Sequence, residues 1–223
     1  MNGVYRINQT RRKSFISSFS INTKLVLINV FFWIIFSILI LQNSQFIDYI
    51  AIKPSNILQG KYLWTFFTSM FMHGGFFHLL ANMVSLLFIG SLVERILGPK
   101  RYLMFYLLSG LIAGLFFVLS ALVFAGDLQT YAVGASGAIF GLIGLLIIIT
   151  PNLPVYLFFI PIPIKMKYAG PGILVLLWLI SIAGNVPIGN TAHLGGLIVG
   201  LFYGFYLKSK YKNKTAYISK FFS

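Results

Sequence analysis

The sequence predicts an all-α membrane protein: a six-transmembrane-helix bundle with both termini cytoplasmic. Three observations carry that expectation. Of 223 residues, 58% are hydrophobic and 9% are charged. A soluble domain averages about 45–50% apolar and about 25% charged residues, so this chain cannot coat a water-facing surface. Its apolar residues gather into six stretches, each close to the roughly 17–25 residues that cross a bilayer core. The basic residues then fall almost wholly on one side of those stretches.

The expected spans are residues 25–41, 77–93, 102–125, 134–150, 168–184 and 192–207. Residues 155–164 are apolar but short, and Pro151, Pro154, Pro161 and Pro163 punctuate them. Proline removes a backbone donor and clashes with the preceding turn, so this stretch is placed at the membrane surface, leading into span five. The remaining organisation is a basic tail (residues 1–24), one membrane domain (25–207) and a second basic tail (208–223).

Lys and Arg number 17 against three Asp and Glu, a net charge of +14. Fifteen of the 17 lie before span one, between spans two and three, between four and five, or after six; only Lys53 and Lys61 lie on the other side. Lys and Arg flanking spans stay cytoplasmic. The excess is therefore a topology signal, and no nucleic-acid role is expected. The absence of an extra span or soluble domain favours a bacterial plasma membrane. Cysteine is absent, which removes disulfide, zinc–thiolate and iron–sulfur chemistry.

Ionisable groups inside a membrane are costly and mark function. Asp48 and Asp127 fall in outer loops, and Glu94 sits beside Arg95 at the cytoplasmic end of span two. No carboxylate reaches mid-span, which disfavours a proton-coupled transporter and an intramembrane aspartyl protease. A zincin site needs two His one turn apart with a Glu between. His73 and His78 are five residues apart, about 140° around a helix. Neither a metal nor a cofactor is expected.

Nucleophilic catalysis needs a hydroxyl, a base and donors for a developing oxyanion. Gly134-Ala135-Ser136-Gly137 opens span four, Ala192-His193-Leu194-Gly195-Gly196 opens span six, and His78 through Asn82 opens span two. By the alternation of spans, all three groups lie at the outer level. At about 100° per residue, His193 shares a face with Gly196, Gly200 and Gly204. Gly137, Gly141 and Gly144 form a second stripe with Ser136 near its border. Small-residue stripes let helix backbones approach closely. If the stripes meet, Ser136 and His193 come within hydrogen-bonding reach. His78 and Asn82, one turn apart, can both donate to a negative oxygen. Taken singly, each feature has a plainer reading. Glycine stripes pack helices, and a serine such as Ser37, Ser85 or Ser120 bonds its own backbone. An asparagine such as Asn29 glues helices together.

Taken as an ordered set, these segments resemble the rhomboid intramembrane serine proteases. The matching segments run from Trp64 through His73-Gly74-Gly75-Phe76-Phe77-His78 to Asn82. They continue through Glu94-Arg95 with Leu97-Gly98, Gly134-Ala135-Ser136-Gly137-Ala138 and Ala192-His193-Leu194-Gly195-Gly196. The resemblance implies that Ser136 is the nucleophile and His193 the general base. It implies that His78 and Asn82, with the Ser136 backbone N–H, bind the oxyanion. It likens residues 42–76 to the family's partly embedded loop, and spans two and five to its substrate gate. Many members carry Trp-Arg in that loop where this chain has Trp64-Thr65; that arginine is a structural anchor. The implied activity is endoproteolysis of single-span membrane proteins near the outer ends of their helices, at segments containing Gly, Pro or small residues. The alternatives are a non-proteolytic rhomboid-like chaperone that binds membrane helices, and a channel along the glycine seam. Oligomeric state is open.

Overall fold

The computed structural model describes residues 19–156, 161–184, 186 and 188–222. The basic stretch containing Arg6, Arg11, Arg12 and Lys13, and part of the proline-punctuated segment, lie outside the described residues.

All six expected helices are present. α1 (Ile21–Gln42) leads into an outer loop carrying three short helices, α2 (Ile47–Ile50), α3 (Pro54–Leu58) and α4 (Thr65–Thr68). Span two is α5 (Phe76–Ser85), a π-turn at Leu86–Gly90, and α6 (Ser91–Leu97). Then come α7 (Pro99–Ser120), α8 (Ser136–Ile149), α9 (Met166–Gly184) and α10 (Asn190–Lys210). Span three therefore starts and ends earlier than residues 102–125. Gly98 (φ 79°) closes α6 and Pro99 opens α7, the backbone freedom and preset φ that such a turn needs. At the other end the Ser120 hydroxyl donates to the Phe117 carbonyl, the own-backbone bond expected of it. The surface stretch after α8 contains an antiparallel pair, β1 (Pro154–Val155) with β2 (Ile164–Lys165), which its prolines did not suggest. Within the expected second tail, residues 208–210 continue α10, and α11 (Lys212–Phe221) follows.

The helices α1, α5–α6, α7 and α9 are long and apolar enough to cross a membrane. On α1 the usual rule is inverted. Asn22, Leu25 and Asn29 are buried, while Leu27, Phe31, Ile34 and Ile38 are exposed. An apolar stripe facing outward is costly in water and natural in lipid. Asn29, expected to join helices, donates to Leu25 O of its own helix.

α8 is the central element, buried at 11 of its 14 positions. At 1.5 Å per residue it is about 21 Å long, against a hydrocarbon core of about 30 Å. It is therefore shorter than the hydrocarbon core, and it is enclosed by protein along most of its length. α10 packs along it through the two glycine stripes. A Cβ on Gly200 would lie 2.8 Å from Gly144 Cα and 2.8 Å from Leu145 N. Cβ atoms on Gly196 and Gly144 would strike the backbone carbonyls of Gly137 and Leu197. Backbone contact at this range is open only to glycine.

The basic end is locked polar-to-polar. Ile21 N and Asn22 N donate to the two carboxylate oxygens of Glu94, each at 2.9 Å, so this acid caps the positive end of α1. Asn22 Nδ2 donates to Leu86 O at 2.8 Å and Tyr102 OH donates to Asn22 Oδ1 at 2.6 Å. The π-turn, which offsets the helical ladder, begins at that Leu86 carbonyl.

Candidate active site

The segment before α8 is shaped by the outer loop. Ile52 and Ala132 exchange both backbone hydrogen bonds, at 3.1 and 2.8 Å. Gly134 N donates to Ser69 O at 2.9 Å, and Ala135 N donates to His73 Nε2 at 3.4 Å. Gly134 has φ 120°, a conformation L side chains rarely adopt. This glycine turns the chain sharply, so that Ser136 is the first residue of α8.

The loop itself is held without the family's arginine. Thr65 is fully buried and donates its hydroxyl to Tyr62 O at 2.8 Å. Trp64 Nε1 donates to Tyr49 O at 3.0 Å, and Thr68 Oγ1 donates to Ile50 O at 2.9 Å. Asp48 accepts from Asn56 Nδ2 and from Tyr131 OH, both at 2.9 Å, with Lys53 Nζ 3.8 Å away. Tyr131 belongs to the segment leading to Ser136, so Asp48 ties the loop to the turn before Ser136.

Ser136 Oγ and His193 Nε2 lie 2.7 Å apart. His193 is 6% exposed, and its ring stacks on Phe140 with centroids 4.7 Å apart and planes at 21°. Its Nδ1 has no hydrogen-bond partner among the described residues. Orientation of the imidazole therefore comes from Phe140 and from the glycine seam that fixes α10 against α8. Phe140 follows Ser136 by four residues, one helical turn on the same face. That spacing is visible in the sequence, although nothing in it marks the aromatic as a support for a histidine on another helix.

His78 borders the same space from α5, with Asn82 one turn further along that helix. A Cβ on residue 134 would lie 3.0 Å from His78 Nε2 and 3.6 Å from Ser136 Oγ. The missing side chain thus opens a small volume bordered by both groups. His78 Nδ1 accepts from Gly74 N at 3.2 Å, which leaves Nε2 facing that volume as the ring's donor. Asn82 Nδ2 donates to His78 O at 2.8 Å, and its buried Oδ1 has no hydrogen-bond partner among the described residues. Ser136, His193 and His78 therefore converge, while Asn82 is engaged in its own helix through His78 O.

His73 was dismissed in the sequence as a metal ligand and given no other task. It is 1% exposed and packs edge-on to His78, ring centroids 5.2 Å apart. Burial, and then the neighbouring His78, push its pKa down to about 3. The neutral ring can accept the Ala135 amide, which an imidazolium could not.

Comparison with known families matches residues 60–210 to the Rhomboid domain. The chain is 36% identical over 160 residues to RHOMBOID-like protein 1 of Arabidopsis thaliana, covering 70% of this chain and 37% of that protein. It is 34% identical over 156 residues to Rhomboid protease GluP of Bacillus subtilis, covering 68% of this chain and 27% of that one. It is also 34% identical over 139 residues to Inactive RHOMBOID-like protein 8 of Arabidopsis thaliana, covering 61% of this chain and 36% of that one. The chain thus spans well under half the length of these curated relatives. The domain match extends from the outer loop through α10 and contains His73, His78, Asn82, Ser136 and His193. With its membrane-spanning helices, the chain is a multi-pass integral membrane protein that belongs to the rhomboid family.

Proposed function

We propose that this protein is an intramembrane serine endopeptidase that hydrolyses peptide bonds within or near the outer ends of transmembrane helices of other membrane proteins. The observation that carries the reading is the 2.7 Å contact between Ser136 Oγ and His193 Nε2. His193 takes the hydroxyl proton as Ser136 attacks the scissile carbonyl, then delivers it to the leaving amine. A water entering by the outer face then gives one proton to His193 and adds its oxygen to the acyl carbon; the bond to Ser136 Oγ breaks, the acid leaves, and His193 returns the proton to Ser136 Oγ. The first amides of α8 have no intrahelical acceptor. They sit at the positive end of the helix, where with His78 and Asn82 they can donate to the oxyanion. Asn82 must rotate its amide away from His78 O to do so.

The similarity to a protein named as a rhomboid protease supports this reading, and so does the presence of both Ser136 and His193. A helix-binding chaperone needs neither group. The shortness of α8 supports a Ser136 set below the headgroups, where a peptide bond in a membrane helix could reach it once that helix unwinds. The proposed location is a bacterial plasma membrane, and the proposed substrates are single-span proteins. The test is cleavage of a panel of reconstituted single-span proteins by the wild-type chain and by Ser136→Ala. Cleavage of at least one by the wild type and none by the variant is expected. Equal cleavage by both ends the assignment.

A further inference from the structure

The helix α11 has no task in the chemistry above, and its composition is unlike that of a spacer. It follows α10 after a single residue, at the basic end of the bundle. Thr215 is buried, and Ile218 packs against the hydrophobic core. This seats one face of the helix on the bundle. At about 100° per residue, Lys214, Tyr217 and Phe221 share a different face. Tyr217 and Phe221 are 75% and 77% exposed, although the helix is otherwise rich in lysine. Lys214 and Tyr217, with Asn213 and Ile218, border an open hollow of about 390 Å³.

The charge around this face is one-sided. Lys208, Lys210, Lys212, Lys214 and Lys220 are all exposed on the last turn of α10 and on α11. The sequence has three acids. Asp48 lies with the outer loop, Asp127 lies in the connection before α8, and Glu94 is committed to the α1 amides. The lysines therefore await external anions. Residues 1–18 carry basic residues and no acid, so they are repelled from this face, as is the same face of a second copy. Anionic headgroups of the adjacent leaflet fit it.

We infer that α11 is an interfacial helix that binds an anionic phospholipid of the leaflet at the basic end. Tyr217 and Phe221 enter the headgroup–acyl boundary, Lys214 pairs with the phosphate, and the hollow beside Tyr217 takes the upper part of the lipid. Aromatic rings favour that boundary, and lysine stems lie along apolar surface while the ammonium reaches the headgroups. An amphipathic helix with this pattern lies in the interface rather than across it. Lys212, on the far side from Lys214, faces water.

The chain has no cysteine, so a single one reports a single site. The full chain carrying Tyr217→Cys, Phe221→Cys or Lys212→Cys is labelled with an environment-sensitive fluorophore and reconstituted in vesicles of phosphatidylcholine with or without phosphatidylglycerol. Lipids bearing a nitroxide near the headgroup serve as quencher. The expected result is strong quenching at positions 217 and 221, weak quenching at 212, and dependence of the strong signal on phosphatidylglycerol. Lys214→Ala with Lys220→Ala, on the Tyr217→Cys background, should weaken docking roughly 20-fold, since each surface lysine contributes about fivefold. These positions are exposed, so the buried seating through Thr215 and Ile218 is untouched. Equal quenching at 217 and 212 overturns the proposal, as does quenching indifferent to phosphatidylglycerol. A disulfide linking two Tyr217→Cys copies instead assigns the face to a second copy and also overturns it.

Discussion

His193 meets Ser136 through Nε2 at 2.7 Å, while its other ring nitrogen has no hydrogen-bond partner among the described residues. A serine–histidine pair in water-soluble proteases is oriented by a carboxylate on that second nitrogen. Here the orienting element is an aromatic face. Phe140 stacks beneath the imidazole, and the glycine seam beneath fixes how deep α10 sits against α8. The pair is thus held by packing, and under the proposed function this avoids an extra buried charge, which is costly within a membrane.

Replacing Phe140 tests that substitution of packing for charge. An aromatic stack contributes about 0.5–1.5 kcal/mol. Phe140→Leu, which keeps most of the volume, is expected to lower kcat by about 2- to 13-fold with KM little changed, because Phe140 is buried against the imidazole. Steady-state kinetics on a reconstituted substrate measure the split. A rise in KM at constant kcat would place Phe140 in substrate binding instead.

The seam makes a graded stability prediction. Gly196→Ala and Gly200→Ala drive a Cβ into the backbone of α8, and overpacking of this kind costs about 1–3 kcal/mol, more where backbone cannot yield. Gly172→Ala, on α9, meets nothing within 4 Å and should be neutral or stabilising by up to about 1 kcal/mol. Thermal unfolding in detergent separates the two classes, and equal shifts at positions 172 and 200 would contradict the seam.

His73 carries a pH prediction. Its pKa in the folded protein, about 3, lies below the unfolded value of about 6.5. The unfolded chain therefore takes up a proton that the folded one refuses. Stability from the neutral ring is complete above about pH 6.5 and falls as pH drops toward 3. His73→Gln keeps an acceptor for Ala135 N and does not titrate. It is expected to retain activity at neutral pH and to lose less stability between pH 6.5 and 4 than the wild type. Identical acid profiles would remove His73 from that role. His73→Ala leaves the Ala135 amide without its partner and should lower kcat.

Glu94 predicts a purely structural effect at the opposite end. Hydrogen bonds to a charged group contribute about 1.5–3 kcal/mol each, and Glu94 accepts two from α1. Glu94→Ala should lower stability by roughly 3 kcal/mol or more, and Glu94→Gln by less. The activity of the folded fraction should remain intact in both. Chemical denaturation with parallel activity measurement checks this, and a large fall in kcat at unchanged stability would tie Glu94 to the site.

Legibility followed the range of the interaction. Ser136, His193 and their glycine stripes were readable because helix periodicity places them on faces, and the charge alternation places them at one depth. Span positions were readable from apolar runs, with ends shifted where Gly98-Pro99 and Ser120 set the helix boundaries. The clamp on the nucleophile turn was not readable, because Ser69, His73 and Ile52 reach Gly134, Ala135 and Ala132 across more than 60 residues of sequence. The replacement of the loop arginine by hydroxyl bonds from Thr65 and Thr68 was equally hidden, since a threonine announces no partner. The π-turn depends on Asn22 of another helix meeting Leu86 O. The helix α11 was read as a tail because ten residues with several lysines show too little periodicity to stand out.

Ser136→Ala and His193→Ala test the central claim most directly, through covalent labelling by a fluorophosphonate, which reports an activated serine without needing a substrate. Oxyanion donors should matter as well. His78→Ala or Asn82→Ala should slow turnover by about 10²–10³ with the fold intact. The account predicts that the wild type labels stoichiometrically, Ser136→Ala not at all, and His193→Ala far more slowly. Equal labelling of all three proteins would contradict it.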